Sequence, residues 1–178
     1  MKGATKYILI LIISLCAICV CIYRYQTINE NVPNLYEKQA YRINEDINLD
    51  DITVNAESFD ITPNEDYEDN YNINIKLKLK NNSSKVIDGT VFIDNSKLTD
   101  GFICANHALI DGDNIKEIEP GKEIQFTMHY VKGTPFNPYD EMNIYHGLCL
   151  YLPNNLYKNQ IEEKYNDGKL YAKYIQLN

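Results

Sequence analysis

The chain has 178 residues and a formal net charge of -8, from 17 Lys and Arg against 25 Asp and Glu. That length suits one globular domain, and 44% hydrophobic content argues against a disordered, collagen-like or disulfide-dense chain. The acidic balance disfavours nucleic acid as a partner, because the phosphate backbone selects basic surfaces.

Much of the hydrophobicity lies at the start. Residues Tyr7 to Tyr23 carry no charge; Lys2 and Lys6 precede them and Arg24 follows. A run of about seventeen apolar residues is at the short limit for spanning hydrocarbon, and tyrosine at each end suits the membrane interface. Arg24-Tyr25-Gln26-Thr27 comes next and lacks the small residues of a signal cleavage site. The segment therefore reads as a retained anchor in preference to a cleaved signal. Cys16, Cys19 and Cys21 follow Leu15, Ile18 and Val20, not the small residue that precedes a lipidated cysteine, and read as apolar residues. The two lysines favour a cytoplasmic amino terminus. Removing them leaves residues 24–178 outside at -10, that is -8 minus 2.

The expected organisation is an anchor with its basic flank over 1–23, an extracytoplasmic tether over 24–45 and a folded domain over 46–178. The tether reading rests on Asn29, Asn31, Pro33, Asn34 and Glu37, which interrupt any apolar period. From about residue 46 the pattern is strand-like. Tyr71 to Lys80 alternates strictly, with Tyr71, Ile73, Ile75, Leu77 and Leu79 on one parity. Period two with one apolar face is the signature of an antiparallel strand against a core. Asn81-Asn82-Ser83-Ser84 ends it in turn chemistry. Ile124 to Tyr130 alternates in the same way, after Glu119-Pro120-Gly121-Lys122. Proline presets the first turn position and glycine accepts positive φ at the second, so this predicts a type II turn. Less regular strands are expected over 52–61 (with a phase change before Phe59), 86–93, 101–105, 143–152 and 170–177. A short helix is expected within 154–167, stopped by Gly168. Seven short strands with turns between them favour a mainly β sandwich or barrel.

A span, a tether, an alternating strand ending in Asn81-Asn82-Ser83, and Glu119-Pro120-Gly121-Lys122 ahead of a strand with Phe126 and Tyr130 form a familiar set. Together they resemble the immunoglobulin-like, telokin-like extracytoplasmic domains of unknown function in Gram-positive bacteria. The resemblance covers about residues 46–178. It implies an antiparallel β-sandwich behind one transmembrane helix, an outer-surface location and a non-enzymatic role. It brings no catalytic residues, and this chain departs from it in lacking a clear lipid-attachment signal.

Few residues suggest chemistry. Cys104 and Cys149 lie beyond the anchor, where a disulfide is permitted; two separate buried thiols are the alternative. His107 and His146 stand near them, but His146 and Cys149 have opposite strand parity, which works against a thiol–imidazole pair. The three histidines, His107, His129 and His146, lack the compact spacing of a zinc module. Parity puts His129 on the wet face of its strand. The acidic runs around Glu65 and Asp111 lack the calcium-loop pattern and read as solvated charge. No metal or other cofactor is expected. Phe136 and Tyr139, beside Pro135 and Pro138, form a candidate contact loop for a protein or glycan. The expected function is that of a membrane-tethered extracytoplasmic binding or structural module with no catalysis. Its partners are a protein or cell-envelope component and, through the span, the membrane, with no nucleic acid. The alternative is an accessory or immunity-type protein acting on a membrane complex or secreted peptide. A secreted thiol-dependent enzyme ranks last.

Overall fold

A computed structural model of the chain describes residues 2–29, 35–67, 70–99, 104–105, 109–132 and 147–177. In chain order these form α1 (Lys2–Asn29), β1 (Leu35–Tyr41), β2 (Asp46–Leu49), β3 (Ile52–Pro63), β4 (Tyr71–Asn81) and α2 (Thr90–Asn95). Then follow β5 (Lys97–Thr99), β6 (Cys104–Ala105), β7 (Leu109–Gly112), β8 (Glu123–Lys132) and β9 (Cys149–Tyr151). A 3-10 turn over Asn154–Leu156, α3 (Lys158–Asn166) and β10 (Lys169–Gln176) complete the fold. Within α1, Leu11–Ile28 is long and apolar enough to cross a membrane, and none of it is buried against the remainder.

The ten strands make two five-stranded sheets. The back sheet runs β2-β3-β4-β8-β7 and the front sheet β1-β10-β9-β5-β6. Every pairing is antiparallel except β1 with β10. When β3, β4, β5, β6, β7, β8, β9 and β10 are taken as strands A, B, C, C′, D, E, F and G, the sheets read A-B-E-D and G-F-C-C′. That is the immunoglobulin order, with β2 added at one edge and β1 laid parallel on G. The fold is therefore an antiparallel β-sandwich of immunoglobulin-like topology behind an N-terminal apolar helix.

Alternation builds the core. Ile73, Ile75, Leu77 and Leu79 of β4 are fully buried, as are Phe126 and Met128 of β8. They meet Leu98, Leu150 and Ile175 of the front sheet in one cluster. Phe92 of α2 plugs this core edge-on to Phe126, with centroids 6.3 Å apart. The chain has no Trp and no cysteine in β4 to bridge β9, so aliphatic and phenyl packing replaces the tryptophan and inter-sheet disulfide of antibody domains. Tyr130 reaches the same interior, and its hydroxyl has no hydrogen-bond partner among the described residues. Burial alone pushes that phenol well above its usual pKa.

The two motifs that carried the resemblance turn out to be one unit. Gly121 has φ 74° and the Lys122 amide donates to the Glu119 carbonyl at 3.0 Å, which is the type II turn read from sequence. The turn then pairs with Asn81: Gly121 N donates to Asn81 O and Asn81 N to Lys122 O, both at 2.9 Å. The buried Asn81 amide donates to the carbonyls of Lys85 (2.6 Å) and Ile118 (2.8 Å), and its oxygen accepts from Ser83 N and Oγ. The phase change before Phe59 is a register shift between Ala56 and Ser58, a β-bulge that turns Glu57 outward. Gly168, at φ 77°, ends α3 as expected.

Three expectations change. The helix does not stop at Tyr23 but runs on to Asn29. The tether read over 24–45 is shorter, because residues 35–41 pair with β10 along their whole length. The strand expected over 86–93 shrinks to one antiparallel bridge of Ile87 with Ile118, followed by a turn and the start of α2. Asp88 leads into it through an Asx turn, accepting from Thr90 N (2.9 Å) and Thr90 Oγ1 (2.7 Å), and Gly89 is the N-cap. Val91, Phe92 and Ile93 are consecutive apolar residues, and such a run does not distinguish strand from helix.

Candidate functional site

The outer face of the front sheet is aromatic. Strand register puts Ala40, Tyr174, Tyr151 and Lys97 in one row across β1, β10, β9 and β5. The rows of Lys38 with Ala172 and of Tyr36 with Leu170 follow on the same face. Tyr151 and Tyr174 stack at 5.3 Å with 27° between their planes. Lys38 Nζ lies 5.3 Å from the Tyr36 ring centroid and 5.9 Å from that of Tyr151. Hydrogen bonding to Tyr151 holds the Lys38 ammonium above its ordinary pKa despite some desolvation, so the cation stays charged over the rings. Tyr36 and Leu170 remain 57% and 46% exposed.

Behind this face a second lysine is sealed in. Lys173 is only 3% exposed, between the rings of Tyr41 and Tyr157 at 5.7 and 5.6 Å. Its Nζ donates to the Asn48 carbonyl of β2 at 2.7 Å. Desolvation lowers its pKa, with Asp50 opposing. The contact pins β2 of the back sheet to β10 of the front sheet. It fixes the platform.

The back sheet's outer face pairs its central polar residues with one another and leaves Leu109 and Val131 exposed at one end. Glu57 bridges Lys78 (2.6 Å) and Lys76 (3.4 Å) and accepts from the Gln125 amide. Asp60 accepts from Asn74 at 2.8 Å, and Asn74 Oδ1 lies 2.7 Å from His129 Nδ1. His129 is thus a wet-face histidine with a structural partner. Near it a shallow cleft of about 530 Å³ is lined by Asn72, Asn74, His129, Leu109 and Val131 among others.

The remaining candidates fall out as follows. Cys104 pairs with Thr99 from β6, and Cys149 pairs with the same Thr99 from β9. Two strand spacings separate them, about 10 Å, whereas bridged Cα atoms usually lie about 4.4–6.8 Å apart. The permitted disulfide does not fit this register. Cys149 is a buried thiol that donates to the Gly147 carbonyl at 3.6 Å, and burial pushes its pKa up. The contact-loop residues Phe136 and Tyr139 lie outside the described residues, as do His107 and His146. Asp113 accepts from the Gln125 amide at 2.8 Å as a turn carboxylate. Among the described residues no group of three or more His, Cys, Asp or Glu is placed to hold a metal ion.

No family model and no curated protein matches the chain. Two solved structures share part of its shape. An uncharacterized β-sandwich protein from Clostridium difficile 630 is 12% identical with a TM-score of 0.48, covering 78% of this chain and 95% of that one. A functionally unknown protein from Listeria monocytogenes EGD-e is 11% identical with a TM-score of 0.36, covering 60% and 69%.

Sequence reasoning missed this face. The sequence pattern places Tyr36 and Lys38 in the tether and Tyr151 and Tyr174 in two separate strands. Their adjacency depends on β1 docking beside β10, which no local pattern announces. Tyrosine joins a broad apolar ring to a hydroxyl that donates and accepts, and its enrichment at contact surfaces follows from that pairing.

Proposed function

We propose that the chain is a membrane-tethered extracytoplasmic binding module of a Gram-positive envelope, with no catalysis of its own. Its contact surface is the tyrosine and lysine face of the front sheet. The carrying observation is the stack of Tyr151 on Tyr174, with Lys38 over the Tyr151 ring and exposed Lys97 completing the row. The apolar helix α1 supports the anchor, and the lysines before it support an inside amino terminus. The partner is a protein or cell-envelope component that offers apolar surface and hydrogen-bonding groups to tyrosine.

The test is site-specific photocrosslinking of the full chain in native membranes. A photoreactive residue at Tyr174 or Lys97 is expected to give a discrete product, and one at Lys78 of the back sheet none. Products from Lys78 alone would overturn the assignment of the face. An impermeant amine label that fails to reach the sandwich lysines on intact cells would overturn the location.

A further inference from the structure

The structure shortens the tether and so constrains where the sandwich stands. Tyr23 ends the charge-free run, and α1 continues through Asn29. Six more helical residues rise about 9 Å, comparable with a headgroup layer of about 5–7 Å. Only residues 30–34 separate this helix from β1. Six Cα steps reach about 20 Å at full stretch, against well over twice that for a 22-residue tether. The start of β1 is therefore held close to the bilayer surface.

That end of the sandwich has an exposed apolar surface. Leu35 is 61% exposed, Tyr36 57%, Tyr165 48% and Leu170 46%. Tyr36 pairs with Leu170, and Leu35 with Lys169. Leu35 and Tyr36 point to opposite faces of the sheet, and Tyr165 lies in the last turn of α3, three residues before Gly168. Apolar exposure on both faces and on the adjoining helix marks an end, not a face. Glu37 ties the three elements together: Lys164 of α3 and Lys169 of β10 donate to its two oxygens at 2.7 and 2.8 Å.

We infer that this end rests on the bilayer, with Leu35, Tyr36, Tyr165 and Leu170 inserted among the lipid headgroups. The inference rests on the reading of α1 as a membrane span. Tyrosine and leucine suit the boundary between headgroup and acyl chain. Lys164 and Lys169 are shared with Glu37, and Glu162, Glu163 and Asp167 lie nearby, so apolar contact drives the docking and anionic lipid is not required. Seating by this end leaves Tyr151, Tyr174 and Lys97, farther along the sheet, turned sideways to the membrane and open to a partner.

The chain has no Trp, so one introduced Trp reports alone. The experiment reconstitutes full-length Y36W, L170W, V131W and L15W into phosphatidylcholine vesicles carrying bromine near the carbonyl end or deep in the acyl chain. Val131 pairs with Asn72 and Asn72 with Thr62, about 33 Å along β3 from Ile52 and the adjoining Asp50 turn, which binds α3 through Asn159 and Gln160, and serves as the distant control. Shallow bromines are expected to quench Y36W and L170W about twofold or more beyond V131W. Deep bromines are expected to quench L15W. If L15W is quenched while Y36W and L170W match V131W, the docking is wrong and the anchor stands. If L15W is not quenched, the anchor reading itself fails. A blue shift of Y36W without quenching means that protein, such as a second copy, covers the patch instead, and overturns the proposal.

Discussion

The two sheets are built differently. In the back sheet β3, β4 and β8 are 12, 11 and 10 residues long, whereas β5 and β9 of the front sheet have three residues each. Long antiparallel strands place many polar side chains opposite one another, and those pairs consume each other's hydrogen-bonding capacity. Glu57 with Lys76 and Lys78, and Asp60 with Asn74, show the result. The short front strands leave fewer such pairs, and their outer positions carry rings. The back sheet is thus the scaffold, and the front sheet takes up β1 after the apolar helix and carries the face proposed for contact.

This division is tested most severely by two aromatic truncations. Phe126 is 1% exposed, in edge contact with Phe92. F126A should cost about 3–5 kcal/mol, from lost burial plus a cavity. Tyr174 contributes its stack on Tyr151, so Y174A should cost about 1.5 kcal/mol or less. Denaturant midpoints of the full chain in mild detergent, followed by near-ultraviolet circular dichroism, would measure both. Equal costs would mean that the front face is part of the core, and the comparison would break.

The next effect concerns Asn81, where the scaffold closes on itself. Its amide satisfies the Lys85 and Ile118 carbonyls, and its oxygen satisfies two Ser83 donors. N81A should lose about 2–3 kcal/mol, because the buried Ile118 carbonyl loses its side-chain donor. N81D should not rescue it, since a carboxylate oxygen would face those carbonyls in place of a donor. Thermal melts of both variants would check this. Tyr130 gives the opposite sign: its hydroxyl is buried without a partner among the described residues, so Y130F should be neutral or stabilise by up to about 1 kcal/mol. A clear loss of stability in Y130F would show that the hydroxyl is bonded after all.

Legibility in the sequence followed the same division. β4 and β8 were plain because each has one dry and one wet face, so hydrophobicity alternates. The bulge at Glu57 showed as a broken phase, and the turn at Pro120 and Gly121 was set by backbone chemistry alone. β1 was invisible because an edge strand exposed on nearly all positions needs no alternation. β2, β5 and β7, at four, three and four residues, are too short to establish a period. The candidate site inherited that blindness, since Tyr36 and Lys38 become part of a surface only after β1 pairs with β10. The cysteine pair failed for a related reason: two residues in strands are near or far according to strand order, which spacing does not encode.

The smallest expected effect separates the sheets by acid. Lysine hydrogen bonds hold Glu37 (Lys164, then Lys169) and Glu57 (Lys78, then Lys76) below the ordinary carboxylate pKa of 4.5. A depressed folded pKa means that the unfolded chain binds the proton more readily. The stabilisation is then fully present above about 4.5 and is lost as pH falls through the lower folded values. Both carboxylates are solvent-screened, so the change is slight and shrinks further at raised ionic strength. Their locations differ, however. Glu57 joins neighbouring long strands already paired over their length, so E57Q should barely alter hydrogen exchange anywhere. Glu37 ties the edge strand β1 to α3 and β10, so E37Q at neutral pH should speed exchange in β1 and the last turn of α3 while leaving β4 and β8 protected. Lowering the pH through the depressed folded pKa of Glu37 should reproduce that local pattern in the unmodified chain. Uniform acceleration across both sheets would show that Glu37 supports the whole sandwich, and the front edge could no longer be treated as separable from the scaffold.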